Sequence, residues 1–147
     1  MRAMPVVGVG VDIVEVERIR KALHRHGERF LDRVFSSEEK ARCGERRDPA
    51  PCLAACFAAK EAASKALGTG MEGLSWKELV VLTGKGGQPI MELRGTALAR
   101  AGEMGVERIL VSVSHSRGYA VAVAFALADK PSGEAVRAAE EGPGYGG

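Results

Sequence analysis

Two carboxylates stand out for the chemistry they could share. Asp12 falls where a Val/Gly strand pattern gives way to a helix pattern, and Glu61 falls inside a helix-forming stretch, Phe57 to Gly68. A strand end and a helix each fix the direction of a side chain. Two hard oxygen ligands suit Mg²⁺, which keeps several waters and often bridges to substrate phosphates. Glu61 and Lys65 are four apart and share a helix face; Lys60 and Ser64, also four apart, occupy an adjoining strip. Lys60, Ser64, Lys65 and His115 could donate to the same phosphates. The plainer reading of the stretch is a surface helix with one Glu–Lys pair, worth roughly 0.3–0.5 kcal/mol. No Gly-x-x-x-x-Gly-Lys-Ser/Thr loop is present, so a phosphate site here is not of the P-loop kind.

Ser114-His115-Ser116 invites a hydrolase reading, which strand geometry opposes. Successive side chains on a strand point to opposite faces, so His115 faces away from Ser114 and shares its face with Val113, Val111 and Ile109. A general base must reach its nucleophile within hydrogen-bond distance. There is also no Gly-x-Ser-x-Gly elbow. His115 is then either a boundary histidine or a donor to an anionic ligand.

The elements that would hold these groups follow from periodicity. Residues 5–12 alternate Val with Gly or Asp and predict a strand, with Gly8 and Gly10 on one face for close approach by another element. A dinucleotide fingerprint fails, because its third glycine would fall on Ile13. A helix is predicted from about Val14 to His24. Val16, Ile19 and Leu23 form its apolar stripe, and Arg18, Lys21 and Arg25 form a basic one. The stripes are offset by about 200°, so one face can enter the core while the other stays basic and wet. That basic face is a solvated surface or a docking site for an acidic partner.

Ser36 with Glu39 makes a capping box and starts another helix. Arg42 to Pro51 is charged and reads as a loop, and Leu53, Cys56 and Phe57 open the central helix. Strands are predicted over 78–83, 89–94, 108–115 and 119–128, with a helix over 96–104. Ala120, Ala122, Ala124 and Ala126 share one strand face, which lets the Ala-rich central helix lie close. The fold class is α+β, an antiparallel sheet packed on the central helix. Residues 129–147 carry charge, Pro and Gly with no apolar period and predict a disordered tail, leaving residues 1–128 as one domain.

Composition narrows the function classes. The formal net charge of +2, from 21 basic and 19 acidic side chains, gives no bulk argument for nucleic acid. The longest apolar run, Ala120 to Ala128, is too short to span a bilayer. The start carries no apolar run followed by a small-residue cleavage site, so no signal peptide is expected. Three cysteines, Cys43, Cys52 and Cys56, are an odd, sparse set that fits a reducing cytosol better than a disulfide scaffold. A metal site built on them lacks a fourth soft ligand at a sensible spacing.

Three segments in order carry a resemblance: Gly10-Val11-Asp12-Ile13-Val14-Glu15-Val16-Glu17-Arg18-Ile19, then Phe57-Ala58-Ala59-Lys60-Glu61-Ala62-Ala63-Ser64-Lys65-Ala66-Leu67-Gly68-Thr69-Gly70, then Val111-Ser112-Val113-Ser114-His115-Ser116 with Tyr119-Ala120. Together they strongly resemble the holo-[acyl-carrier-protein] synthases, the small 4′-phosphopantetheinyl transferases, from about residue 6 to residue 127. The resemblance implies transfer of the 4′-phosphopantetheine arm of coenzyme A to a serine of apo acyl carrier protein, for fatty acid biosynthesis in the cytoplasm. It implies Mg²⁺ on Asp12 and Glu61, Lys65 at the pyrophosphate and His115 near the coenzyme A phosphates. It also implies an acidic carrier protein received on the helix of Arg18, and a homotrimer with sites between subunits. Two other readings of the residues stay open: another Mg²⁺-dependent transferase or hydrolase of nucleotide pyrophosphates, and a non-enzymatic module binding acidic proteins through Arg18, Lys21 and Arg25.

Overall fold

The computed structural model describes residues 5–128 of the 147-residue chain. In chain order the elements are β1 (Val6–Glu15), α1 (Val16–His26), α2 (Glu28–Val34), α3 (Ser37–Gly44) and α4 (Ala50–Ala66). A single 3-10 turn (Trp76–Glu78) leads to β2 (Leu79–Thr83), β3 (Pro89–Leu93), α5 (Gly95–Glu103), β4 (Val106–Ser116) and β5 (Tyr119–Ala128). The predicted tail at 129–147 lies outside the described residues.

The strands form two antiparallel sheets rather than one. A three-stranded sheet runs in the order β1-β5-β4, and β2 and β3 pair as a separate hairpin. Strand β1 extends three residues beyond its predicted end, because Ile13, Val14 and Glu15 continue the ladder opposite Val121, Ala120 and Tyr119. Helix α1 therefore begins at Val16, two residues late, with Val16 and Ile19 in the core.

Helix α4 lies across the three-stranded sheet. Ala120, Ala122, Ala124, Ala126 and Ala128 of β5 are all buried, as are Ala58, Ala59, Ala62, Ala63 and Ala66 of the helix. Small side chains on both surfaces bring the two backbones together. At Gly10 an added Cβ would collide with the carbonyl of Ala62, and at Gly8 with that of Ala66. These two glycines are what allows β1 to pass under the helix. The opposite sheet face is apolar yet exposed. Val11 pairs with Val123, Ile13 with Val121 and Leu110 with Phe125, and of these Ile13 is 61% exposed and Val11 58%.

Helix α3 starts on the predicted capping box. Ser36 Oγ accepts from the Glu39 amide at 3.2 Å, and Glu39 Oε1 accepts from the Ser36 amide at 2.8 Å. Phe35, just before it, is wholly buried with its ring edge-on to Phe30 at 5.6 Å, a burial worth about 2–3 kcal/mol. The cysteines depart from expectation. Cys43 at the end of α3 and Cys52 in the first turn of α4 are joined by a disulfide, their Cα atoms 5.4 Å apart. The charged loop between the helices folds α3 back onto α4, and that return brings the two sulfurs together. Among the described residues no helix is long and apolar enough to cross a membrane.

Candidate active site

The crossing of β1 and α4 brings Asp12, Glu61 and Lys65 together. Asp12 sits on the β1 face that looks toward α4, two residues beyond Gly10. Lys65 reaches back from the last turn of α4. Its Nζ lies 3.0 Å from the Val11 carbonyl oxygen and 3.3 Å from Asp12 Oδ1. Glu61, one turn earlier, is half-buried beside them. Burial pushes its carboxyl above the usual carboxylate range, and the charge of Asp12 adds to the rise. Lys65 and Arg18 pull it back only in part. The cluster therefore holds two carboxylates, Asp12 paired with Lys65 and Glu61 held back from ionising chiefly by burial.

Arg18 is the first residue of the basic face of α1, and its charge is among those that oppose the rise in the Glu61 carboxyl's pKa. Arg18, Lys21 and Arg25 are all exposed, with Val16 and Ile19 turned inward. The neighbouring Arg20 is engaged elsewhere, paired with Glu17 and, at 2.6 Å, with Asp48 of the α3–α4 loop.

Lys60 and Ser64 do not join this group. Lys60 is completely buried on the other flank of α4. Its Nζ donates to the carbonyl oxygens of Leu79 at 2.7 Å and Trp76 at 3.0 Å, and pairs with Glu39 Oε1 at 2.7 Å. Glu39 Oε2 in turn accepts from the Val81 amide at 2.7 Å, so the pair ties α3, α4 and β2 together. Burial lowers the Lys60 pKa and Glu39 opposes that shift. Ser64 is also fully buried, and its hydroxyl donates to the Glu61 carbonyl at 2.7 Å. Both expected phosphate donors are structural: each polar group already has its partners and none faces an open site.

His115 lies elsewhere in the chain's own geometry. It shares a row across the sheet with Ala120 and Val14, on the face toward α4 but past the helix, and is exposed. Asp12 stands one row on and two strands away, so strand spacings put their Cα atoms roughly 12 Å apart with β5 between. His115 lines a cavity of about 870 Å³ together with Arg42, Arg46, Arg47, Gly87 and Pro89. None of Asp12, Glu61 or Lys65 lines it. The three arginines fall in a segment that reads in sequence only as a charged loop, whereas α3 runs on to Gly44 and takes Arg42 into its last turn, leaving Arg46 and Arg47 in the loop. Their convergence on His115 depends on α3 folding back on α4, and nothing in their spacing signals it. Arg42 is anchored, donating to the Val81 carbonyl at 2.8 Å, while Arg46 and Arg47 are exposed.

A family model described as the 4′-phosphopantetheinyl transferase superfamily matches residues 8–124. The chain belongs to this family. It is 46% identical over 127 residues to the holo-[acyl-carrier-protein] synthase of Desulforudis audaxviator, an alignment covering 86% of this chain and 95% of that protein. The crystal structure of the Neisseria meningitidis holo-[acyl-carrier-protein] synthase superposes with a TM-score of 0.76 at 32% identity, covering 83% of this chain and 98% of that one. The Helicobacter pylori enzyme, solved in complex with coenzyme A, superposes with a TM-score of 0.71 at 30% identity, covering 80% and 98%. The transferase match takes in β1 from Gly8 onward, the whole of α4 and His115, and so spans both the carboxylate cluster and the arginine-lined cavity.

Proposed function

We propose that this chain is a holo-[acyl-carrier-protein] synthase. It transfers the 4′-phosphopantetheine group of coenzyme A to a serine hydroxyl of apo acyl carrier protein and releases adenosine 3′,5′-bisphosphate. Residues 1–128 form the transferase domain, working in the cytoplasm for fatty acid biosynthesis. The observation that carries this reading is the Asp12–Glu61–Lys65 cluster at the β1–α4 crossing of a chain in the phosphopantetheinyl transferase family.

The residues present fit Mg²⁺. Asp12 and Glu61 supply hard oxygens, and a cation is already accommodated beside them, Lys65 at 3.3 Å from Asp12 Oδ1. When bound there, Mg²⁺ would neutralise pyrophosphate charge and polarise the phosphorus under attack. Lys65 stabilises charge that builds on the non-bridging and leaving oxygens. The carrier serine supplies the nucleophile. Its oxygen bonds to the phosphorus that carries pantetheine, the P–O bond to the nucleotide's 5′-phosphate breaks, and Glu61 takes the serine proton. Arg18, Lys21 and Arg25 receive the acidic carrier at the rim of the same cluster, which suits delivery of a serine to it.

The cavity of His115, Arg42, Arg46 and Arg47 suits the phosphates of the nucleotide end, with the Gly87–Pro89 turn beside the adenine. The family resemblance implies a homotrimer in which His115 of one subunit meets Asp12 and Glu61 of the next, and the separation of that cavity from the carboxylate cluster within one chain supports a site shared between subunits. The exposed apolar sheet face around Val11, Ile13 and Phe125 supplies a surface for such assembly. The test is incubation with coenzyme A, Mg²⁺ and an apo carrier protein, followed by mass measurement of the carrier. Gain of one phosphopantetheine, lowered on the order of 100-fold in rate by Glu61→Gln, is the expected result. A carrier that binds but never gains mass would leave only an acidic-protein binding module.

A further inference from the structure

The cysteines that fitted no metal pattern in sequence converge in space. The sulfurs of Cys43, Cys52 and Cys56 all lie within 4.8 Å of one another. Cys43 and Cys56 are buried, and half-buried Cys52 opens the group onto the His115 cavity, which both Cys52 and Cys56 line. Arg42 Nη2 donates to Cys56 Sγ at 3.1 Å. Metal–sulfur bonds of about 2.3 Å place sulfurs around 4 Å apart, which this spacing meets with small adjustment.

We propose that reduction of the Cys43–Cys52 bond converts this trio into a three-thiolate site for zinc, with the fourth position open to water from the cavity. Three protein ligands and one water is a coordination set zinc adopts. Charge favours a divalent ion. Three thiolates with Zn²⁺ carry one net negative charge, and the Arg42 guanidinium already on Cys56 offsets it. Disulfide and zinc exclude each other, since both claim Cys43 and Cys52. Either one ties α3 to α4 and so steadies the loop that bears Arg46 and Arg47 beside the cavity.

The site is distinct from the Asp12–Glu61 pair, and its test keeps the two apart. The full chain carrying Glu61→Gln is reduced anaerobically with a tertiary phosphine; with one water this yields two thiols and phosphine oxide. After removal of the reagent, Zn²⁺ is titrated against a chromophoric chelator, and Co²⁺ is added to a parallel sample. Expected are one zinc per chain, release of thiol protons, and the ligand-field and sulfur-to-cobalt bands of a tetrahedral thiolate site. The oxidised protein should show none of these. Cys56→Ser and Cys52→Ser, each checked for native circular dichroism, should each weaken zinc by at least the order of 100-fold that loss of a ligand's supporting partner alone can cost. Substoichiometric binding by the reduced protein, equal affinity in the serine variants, or a six-coordinate cobalt spectrum would each overturn the site.

Discussion

Replacing Lys60 by methionine removes an ammonium and keeps most of the side-chain volume. The Lys60 amine meets Leu79 and Trp76 carbonyl oxygens at 2.7 and 3.0 Å and Glu39 at 2.7 Å, all out of solvent. In the variant the Glu39 carboxylate keeps its Ser36 and Val81 amide donors but loses its cation, and two carbonyls lose a donor. Breaking a buried pair from one side costs about 3–5 kcal/mol. Set against a total stability of roughly 5–15 kcal/mol, that is a large share. The thermal midpoint should fall by roughly 10–25 °C. Glu39→Gln added to Lys60→Met should recover part of the loss, because no buried charge is then left unpaired. Urea melts of both single variants and the double measure the coupling. At a temperature where the variant stays folded, its KM for coenzyme A should lie within about twofold of the parent, since a residue removed from the core and not from the site leaves transition-state and ground-state binding alike. Unchanged stability with a KM raised tenfold would refute the argument and return Lys60 to the phosphates.

Further outcomes follow from the same geometry. Glu61→Ala and His115→Ala subunits, each poorly active, should regain part of the lost activity when unfolded and refolded together, because some interfaces of a mixed trimer carry neither defect; no recovery in mixed trimers verified by mass would put the site within one chain. Arg18→Glu should weaken carrier binding and leave coenzyme A binding nearly unchanged, and the parent interaction should weaken as salt rises; equal carrier affinity at low salt would remove α1 as the docking face. Hydrogen bonding and charge from Arg94 hold the Glu38 carboxyl at about 2, against an ordinary 4.5. A lowered carboxyl stabilises the fold above its ordinary value and loses that contribution as pH falls toward 2. The stability gap between the parent and Arg94→Gln should therefore be constant near neutrality and shrink between pH 4.5 and 2; a gap independent of pH would assign the effect of Arg94 to packing.

Local pattern alone settled the elements and much of their packing. The alanine row of 120–126 opposite Val and Phe specifies which face of β5 meets a helix, and period two leaves no other option. Gly8 and Gly10 specify a close neighbour, Ser36 with Glu39 specifies a helix start, and alternation from Ile109 specifies that His115 lies on the strand face opposite Ser114. The opposed apolar and basic stripes of α1 are equally local. Within α4 such reasoning loses its grip. Small apolar residues surround that helix, so periodicity marks no wet side, and Lys60 reads as exposed as Lys65. Which lysine is buried depends on Glu39 arriving from α3 and on two carbonyls arriving from the stretch around Trp76 and Leu79. The meeting of Cys43 with Cys52 and Cys56, and of Arg42, Arg46 and Arg47 with His115, has the same origin. Each is a contact between separate elements, fixed by how α3 folds back on α4, and helix and strand periods carry no information about where a loop delivers the next element.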